Sequence, residues 1–203
     1  EMDKELLELN FEQEGDQVAL MLSIPVIRAK DEEEIEEAIK AQQEAKEAEF
    51  SEEDDEEVSE DEEISRIVPL IQKIRQINDK IPISVDTRKM AVMKAAYENG
   101  ADVLNDVSAL EFDSKMAGFI SSTELSVILM FWKAGGIKEA KKYLKQRVLF
   151  AKKSGIKKEK IILDPGIGFD KSFEENCQLT KNCGDLAYGG MPVLMALSNK
   201  RCI

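Results

Sequence analysis

Residues 161–169 read IILDPGIGF: three apolar residues, two of them β-branched, running straight into Asp164-Pro165-Gly166 and a second glycine, Gly168. So short and so apolar a run predicts a strand buried on both faces, closed by an Asp-Pro-Gly turn. Such strands belong to parallel sheets with helices packed outside them. The neighbouring sequence repeats the pattern. Residues 137–154 predict a long amphipathic helix stopped by Gly155, and 126–131 an apolar strand before Gly135-Gly136. Further back come a helix at 114–121, a strand at 102–104 ending in Asn105-Asp106 and a helix at 90–99 closed by Gly100. A strand at 81–85 ends in Asp86-Thr87, and a helix at 64–77 has apolar residues at 64, 67, 68, 71, 74 and 77. Beyond the central stretch lie a helix at 173–183 and a strand at 193–197. Five alternations in units of roughly 20 to 35 residues favour a (β/α) barrel over an open doubly wound sheet. Five strands do not close such a barrel, which takes about eight. The expected class is therefore α/β of the (β/α)8 TIM-barrel type, incomplete in this chain.

Composition narrows the chemistry. With no histidine among 203 residues, no Ser-His or Cys-His nucleophile, His-ligated zinc or imidazole acid-base pair can be built. Cys177, Cys183 and Cys202 form no C-x-x-C pair and read as reduced thiols. Neither G-x-G-x-x-G nor a Walker loop occurs. The longest apolar run, residues 18–27, is too short to span a bilayer and follows acidic residues, so a cytoplasmic protein without membrane contact is expected.

The net charge of −13 is unevenly placed. Residues 31–63 carry 19 acidic and 2 basic side chains, whereas residues 64–203 carry 15 acidic and 23 basic. Three parts are expected: residues 1–30, unassigned apart from a strand candidate at 18–27; an acidic segment at 31–63, helical or disordered; and the barrel portion at 64–203. The cluster Lys152, Lys153, Lys157, Lys158 and Lys160 reads as a solvated helix end. It has no interleaved aromatics, so no nucleic-acid partner is expected. Trp132 reads equally as a stacking platform for a ligand ring and as a packing residue.

Polar residues recur where the strands end: Asp86, Asn105, Asp164 and Ser198-Asn199-Lys200. Taken singly, each reads as a helix cap or turn residue. In a parallel barrel these positions gather on the C-terminal face, where active sites lie, and together they predict a hydrogen-bonding pocket. Carboxylates accept, an ammonium donates and an amide does both, a set suited to a flat heterocycle with adjacent N–H and amino donors.

The segments EVSEDEEISRIVPLIQKI, ISVDT, GADVLNDVSAL, SVILMF, ILDPGIGFDK with Asn176 following, and PVLMALSNK resemble dihydropteroate synthase in order and spacing, over residues 57–203. The resemblance implies a (β/α)8 barrel whose strands 3 to 7 are recognisable here. It also implies a folate-pathway transferase that condenses 7,8-dihydropterin-6-ylmethyl diphosphate with 4-aminobenzoate. Asp86, Asn105, Asp164 and Lys200 would bind the pterin, with Met130, Gly168 and Phe169 lining its pocket and Ser198 near the aminobenzoate carboxylate. Catalytic residues are not assigned. Mg2+ is the implied cofactor, although its usual ligand, an Asn in N-V-T-P-D-S-F, is not found. The implied partners are the two small substrates, with a homodimer as the assembly the family allows.

Several positions depart from the family pattern. The acidic residues 52–57 stand where G-G-E-S-T-R-P-G is expected, and would repel anionic substrates. Asn199 stands where an Arg is usual, Phe131 where a His is usual, and the sequence ends before the Arg-x-His strand. The pterin half of a site is thus expected without most of its anion half. That pattern suits an incomplete synthase, a module of a larger folate enzyme, or a pterin-binding protein without catalysis. A pterin-dependent methyltransferase is the more distant reading, disfavoured by ILDPGIGF.

Overall fold

The computed structural model describes residues 58–197. The expected parts at 1–30 and 31–57, and the expected site residues Ser198 and Lys200, lie outside the described residues.

Helix α1 (Glu60–Ile77) begins at Ser59, whose hydroxyl oxygen accepts from the Glu62 amide at 3.2 Å. Glu60, Asp61, Glu62 and Glu63 fill its first turn, where the partial positive charge of the helix end favours carboxylates. Four residues of the acidic stretch are thereby part of a helix packed on the barrel portion. Then follow β1 (Ser84–Asp86), α2 (Met90–Glu98), β2 (Val103–Asp106), α3 (Met116–Ser121), β3 (Ser126–Met130), α4 (Ile137–Lys153), β4 (Ile161–Asp164) and α5 (Phe173–Lys181). The strands are parallel in the order β1-β2-β3-β4. Each strand lies beside the one before it, as in the wall of a (β/α) barrel; a doubly wound sheet reverses its order part-way.

Several strand boundaries differ from expectation. Pairing in β1 starts at Ser84, because Pro82 has no N–H and the Ile83 amide donates to the Asp102 carboxylate at 2.8 Å. Strands β1, β2 and β4 run on through Asp86, Asp106 and Asp164, so those polar residues belong to the ladder. Ladder bonds use backbone groups, and a change to polar side chains does not interrupt them. The strand expected at 193–197 is reduced to a single bridge, Leu163 with Val193. The Leu163 amide donates to the Pro192 carbonyl at 2.9 Å and the Leu194 amide to the Leu163 carbonyl at 2.7 Å. The Leu197 amide then bonds to the Met195 carbonyl, a local turn that ends the pairing.

Because side chains alternate, the sheet has two distinct faces. Val85, Leu104, Val127, Leu129, Ile161 and Leu163 point into the helix-covered core with Met93, Ala96, Leu144 and Val148. Helix α4 supplies its share at Ala140, Tyr143, Leu144, Val148 and Ala151, a stripe at helical spacing. Each buried Leu, Ile or Val contributes about 1.5–3 kcal/mol, so this face anchors the sheet. The opposite face carries Asp86, Asn105, Ile128, Met130, Ile162 and Asp164 at matching parity.

Candidate functional site

The register aligns the polar strand ends in two steps. Asp86 is opposite Asn105, which is opposite Ile128; two residues further along, Met130 is opposite Asp164. Asp86, Asn105, Met130 and Asp164 therefore share one sheet face at the C-terminal ends of four adjacent strands.

Their surroundings differ sharply. Asp164 is buried, and its Oδ1 accepts from the Gly166 amide at 2.6 Å, closing the turn expected from Asp-Pro-Gly. Gly166 takes φ 65°, and a Cβ there would lie 2.1 Å from the Phe131 carbonyl oxygen. Only glycine lets the loop approach β3 so closely. The Gly168 amide donates to Asn176 Oδ1 at 2.8 Å. Asn176, itself buried, donates from Nδ2 to the carbonyls of Ser172 at 2.9 Å and Lys171 at 3.3 Å. The Lys171 ammonium bridges the Phe131 and Phe169 carbonyls at 2.8 and 2.9 Å. Ser172 caps α5, with its hydroxyl accepting from the Glu175 amide and Glu175 accepting from the Ser172 amide. Those bonds, from the backbone above all, draw the exposed Glu175 carboxyl below its ordinary range.

At the other end of the sheet, Asn105 Nδ2 donates to Asp86 Oδ2 at 3.2 Å. Asn105 Oδ1 is buried and accepts from nothing among the described residues, an unmet demand that costs free energy unless a donor arrives. Asp86 is exposed as a residue, yet neighbouring protein crowds its carboxyl and raises it above the ordinary carboxylate range. The negative charges of Asp106 and Glu63 push in the same direction, and the Asn105 amide pushes back.

Asp106 carried no expectation, and the structure makes it the organiser of the loop after β2. Its Oδ1 accepts from the Ser108 amide and hydroxyl at 2.8 and 2.6 Å, and its Oδ2 from the Leu110 amide at 2.8 Å. The D-V-S spacing is the local signal for this turn. Ala109 and Leu110 both take positive φ, 51° and 65°. Arg147 of α4 clasps their carbonyls at 2.7 and 3.0 Å, a contact that no sequence pattern announces.

A cleft of about 480 Å3 opens beside these residues, lined by Arg88, Ser108, Phe112, Trp132, Phe169 and Asp170 among others. Trp132 is 42% exposed and lines it, so its ring is not wholly taken up in packing. Phe169 is 40% exposed and faces this cleft. Asp86, Asn105 and Asp164 do not line it; they occupy the sheet face next to it.

Comparisons with known proteins give the family and the fold. A family model described as "Pterin binding enzyme" matches residues 47–203. The chain belongs to the pterin-binding enzyme family. Among curated relatives, dihydropteroate synthase of Clostridium beijerinckii is 38% identical, over 69% of this chain and 54% of that protein. The Streptococcus pyogenes serotype M3 synthase is 36% identical at the same coverage. The chain thus spans about half the length of the curated relatives it matches. Dihydropteroate synthase from Xanthomonas albilineans, solved in complex with 7,8-dihydropteroate, superposes with a TM-score of 0.68 at 36% identity. That match covers 72% of this chain and 58% of that chain. The same enzyme solved with 4-aminobenzoic acid gives 0.68 at 35%, covering 71% and 56%. The family's barrel is therefore the fold of which these four strands are a part.

Proposed function

We propose that this chain binds a pterin on the sheet face of Asp86, Asn105, Met130 and Asp164, and serves dihydropteroate synthesis. The buried, unpartnered Asn105 Oδ1 carries the reading, because it sits between strand-end carboxylates as an acceptor without a donor. A pterin offers the missing chemistry: a flat ring whose N–H and amino groups donate to Asn105 Oδ1 and to the carboxylates of Asp86 and Asp164. Gly168 and Phe169 on the neighbouring loop, and Lys200 and Ser198 beyond the described residues, complete the proposed set. Relatives solved with 7,8-dihydropteroate and 4-aminobenzoic acid support the choice of ligands.

In the proposed reaction the pterin's CH2–O bond to diphosphate breaks, and the amine nitrogen of 4-aminobenzoate forms the new C–N bond. The diphosphate leaves with the electron pair, and the nitrogen gives up a proton to solvent. Asp86, Asn105 and Asp164 hold the ring so that the CH2 group faces the amine; holding two reactants in place is a large part of such a barrier. Among the described residues no group of three or more His, Cys, Asp or Glu side chains is placed to hold a metal ion. The described residues also contain no helix long and apolar enough to cross a membrane.

Trp132, the chain's single tryptophan, lies in the cleft beside Phe169 and is a built-in reporter. Titration with 6-hydroxymethylpterin is expected to change its fluorescence saturably. Asp164→Asn is expected to weaken that binding by roughly 1.5–3 kcal/mol, the value of a hydrogen bond to a charged group. Unaltered affinity would overturn the assignment of the face. Dihydropteroate formed on adding the pterin diphosphate and 4-aminobenzoate supports the synthase reading, and pterin binding without product confines this chain to binding.

A further inference from the structure

The contacts of Glu63 reach beyond its own helix. It sits in the first turn of α1, far from β1 in sequence, yet its Oε2 accepts from Thr87 Oγ1 at 3.1 Å and its Oε1 pairs with Lys89 Nζ at 2.9 Å. Thr87 and Lys89 follow closely on Asp86. The Thr87 hydroxyl oxygen accepts from the Lys89 amide at 3.2 Å, and the Thr87 amide donates to the Asn105 carbonyl at 3.2 Å. Lys89 is 7% exposed and also donates to the Val58 carbonyl, just before the α1 cap. An ammonium taken this far out of water is retained only with good partners, so the arrangement has one geometry. We propose that Glu63 and Lys89 are positioning residues for Asp86. Their ion pair locks the start of α1 onto the turn after β1 and sets the field in which the Asp86 carboxylate meets its ligand.

Among the groups acting on the Asp86 carboxyl are the charges of Asp106 on β2 and Glu63 on α1, with the Asn105 amide as a neutral donor, and Lys89 is paired with Glu63. Asp106 is committed to three hydrogen bonds within its own loop. Glu63 is the adjustable member, because Lys89 offsets part of its charge. The two halves of the pair therefore act on Asp86 with opposite sign. Removing Glu63's charge favours ionised Asp86, and removing Lys89's charge disfavours it. A purely structural bridge has no such signature, since losing either half loosens the same contact.

The inference rests on Asp86 being a ligand-binding carboxylate, and the experiment separates the two claims. In the full chain with 13C-labelled aspartate, the Asp86 carboxyl signal is assigned by its loss in Asp86→Asn and followed against pH. Glu63→Gln, which retains an acceptor for Thr87, is expected to move the midpoint down by about half a unit. Lys89→Gln is expected to move it up. Should Lys89→Gln not fold, Lys89→Arg keeps the charge and is expected to leave the midpoint in place. An unmoved midpoint in Glu63→Gln, or shifts of one sign in both variants, overturns the proposal. Affinity for 6-hydroxymethylpterin is measured alongside. Glu63→Gln is expected to bind about threefold more tightly below the midpoint, the equivalent of half a unit, and unchanged well above it. Midpoints that shift while affinity does not follow would remove Asp86 from the pterin site and leave the field effect standing. Affinity lost in Asp86→Asn with no midpoint shift in Glu63→Gln would do the reverse.

Discussion

The two ends of the sheet face solve opposite problems. At β4, Asp164, Gly166, Gly168, Asn176 and Lys171 are tied by hydrogen bonds within the loop and to the end of β3. At β1 and β2, Asp86 is open, its carboxyl is held above the ordinary range, and Asn105 Oδ1 is buried without a donor. One end is preorganised by its own hydrogen bonds; the other carries unmet polar demand that a ligand would relieve. Rigid support beside unsatisfied groups is an effective arrangement for binding, because the support reduces what is lost in ordering.

If the β4 end is a framework, breaking it should be costly for folding itself. Gly166→Ala is expected to destabilise the chain by about 3–5 kcal/mol, combining left-handed strain with a carbonyl contact that neither backbone can yield. Urea unfolding would show it, and a loss under about 1 kcal/mol would mean that the loop is looser than its close approach to β3 requires. Asn176→Ala comes next, at roughly 2–3 kcal/mol, since it strands the Gly168 amide and two carbonyls. A variant as stable as the native chain would remove Asn176 from the framework.

At the open end the expected effect is smaller and of opposite sign. Asp86 in the folded chain titrates above its ordinary value of 3.8, so the folded state holds a proton that the unfolded state has already released. Its contribution to stability therefore falls as pH rises from the unfolded value through the raised folded one, and stays lowered above that window. Asp86→Asn is expected to be slightly more stable than the native chain at pH 7 and to lose this advantage below the unfolded value. Unfolding midpoints at pH 3 and pH 7 measure the difference, and an advantage that does not vary with pH would rule out the Asp86 charge as its source.

The elements at both ends are legible in residue order. IILDPGIGF announces a buried strand and an Asp-Pro-Gly turn because apolar β-branched runs and proline-glycine chemistry act over a few residues. The same local logic puts Asp86, Asn105 and Asp164 at strand ends, and the motif resemblance marks them as a set. The strand expected at 193–197 is less secure, since an apolar run does not state how far it will find a partner; only Val193 does.

Contacts between residues distant in the chain belong to the tertiary structure. Glu63 meets Thr87 and Lys89 across 24 and 26 positions, and Arg147 holds the Ala109 carbonyl across 38. Nothing in the spacing of those residues encodes the meeting. By itself the sequence determined the alternation of strand and helix, the family, and the polar residues at the strand ends, all properties of short segments. Packing alone decided which of those residues are satisfied and which are left wanting. Hydrogen-bond satisfaction depends on neighbours brought together from the whole chain, and the unmet acceptor of Asn105 exists only once β1, β2 and β3 lie side by side.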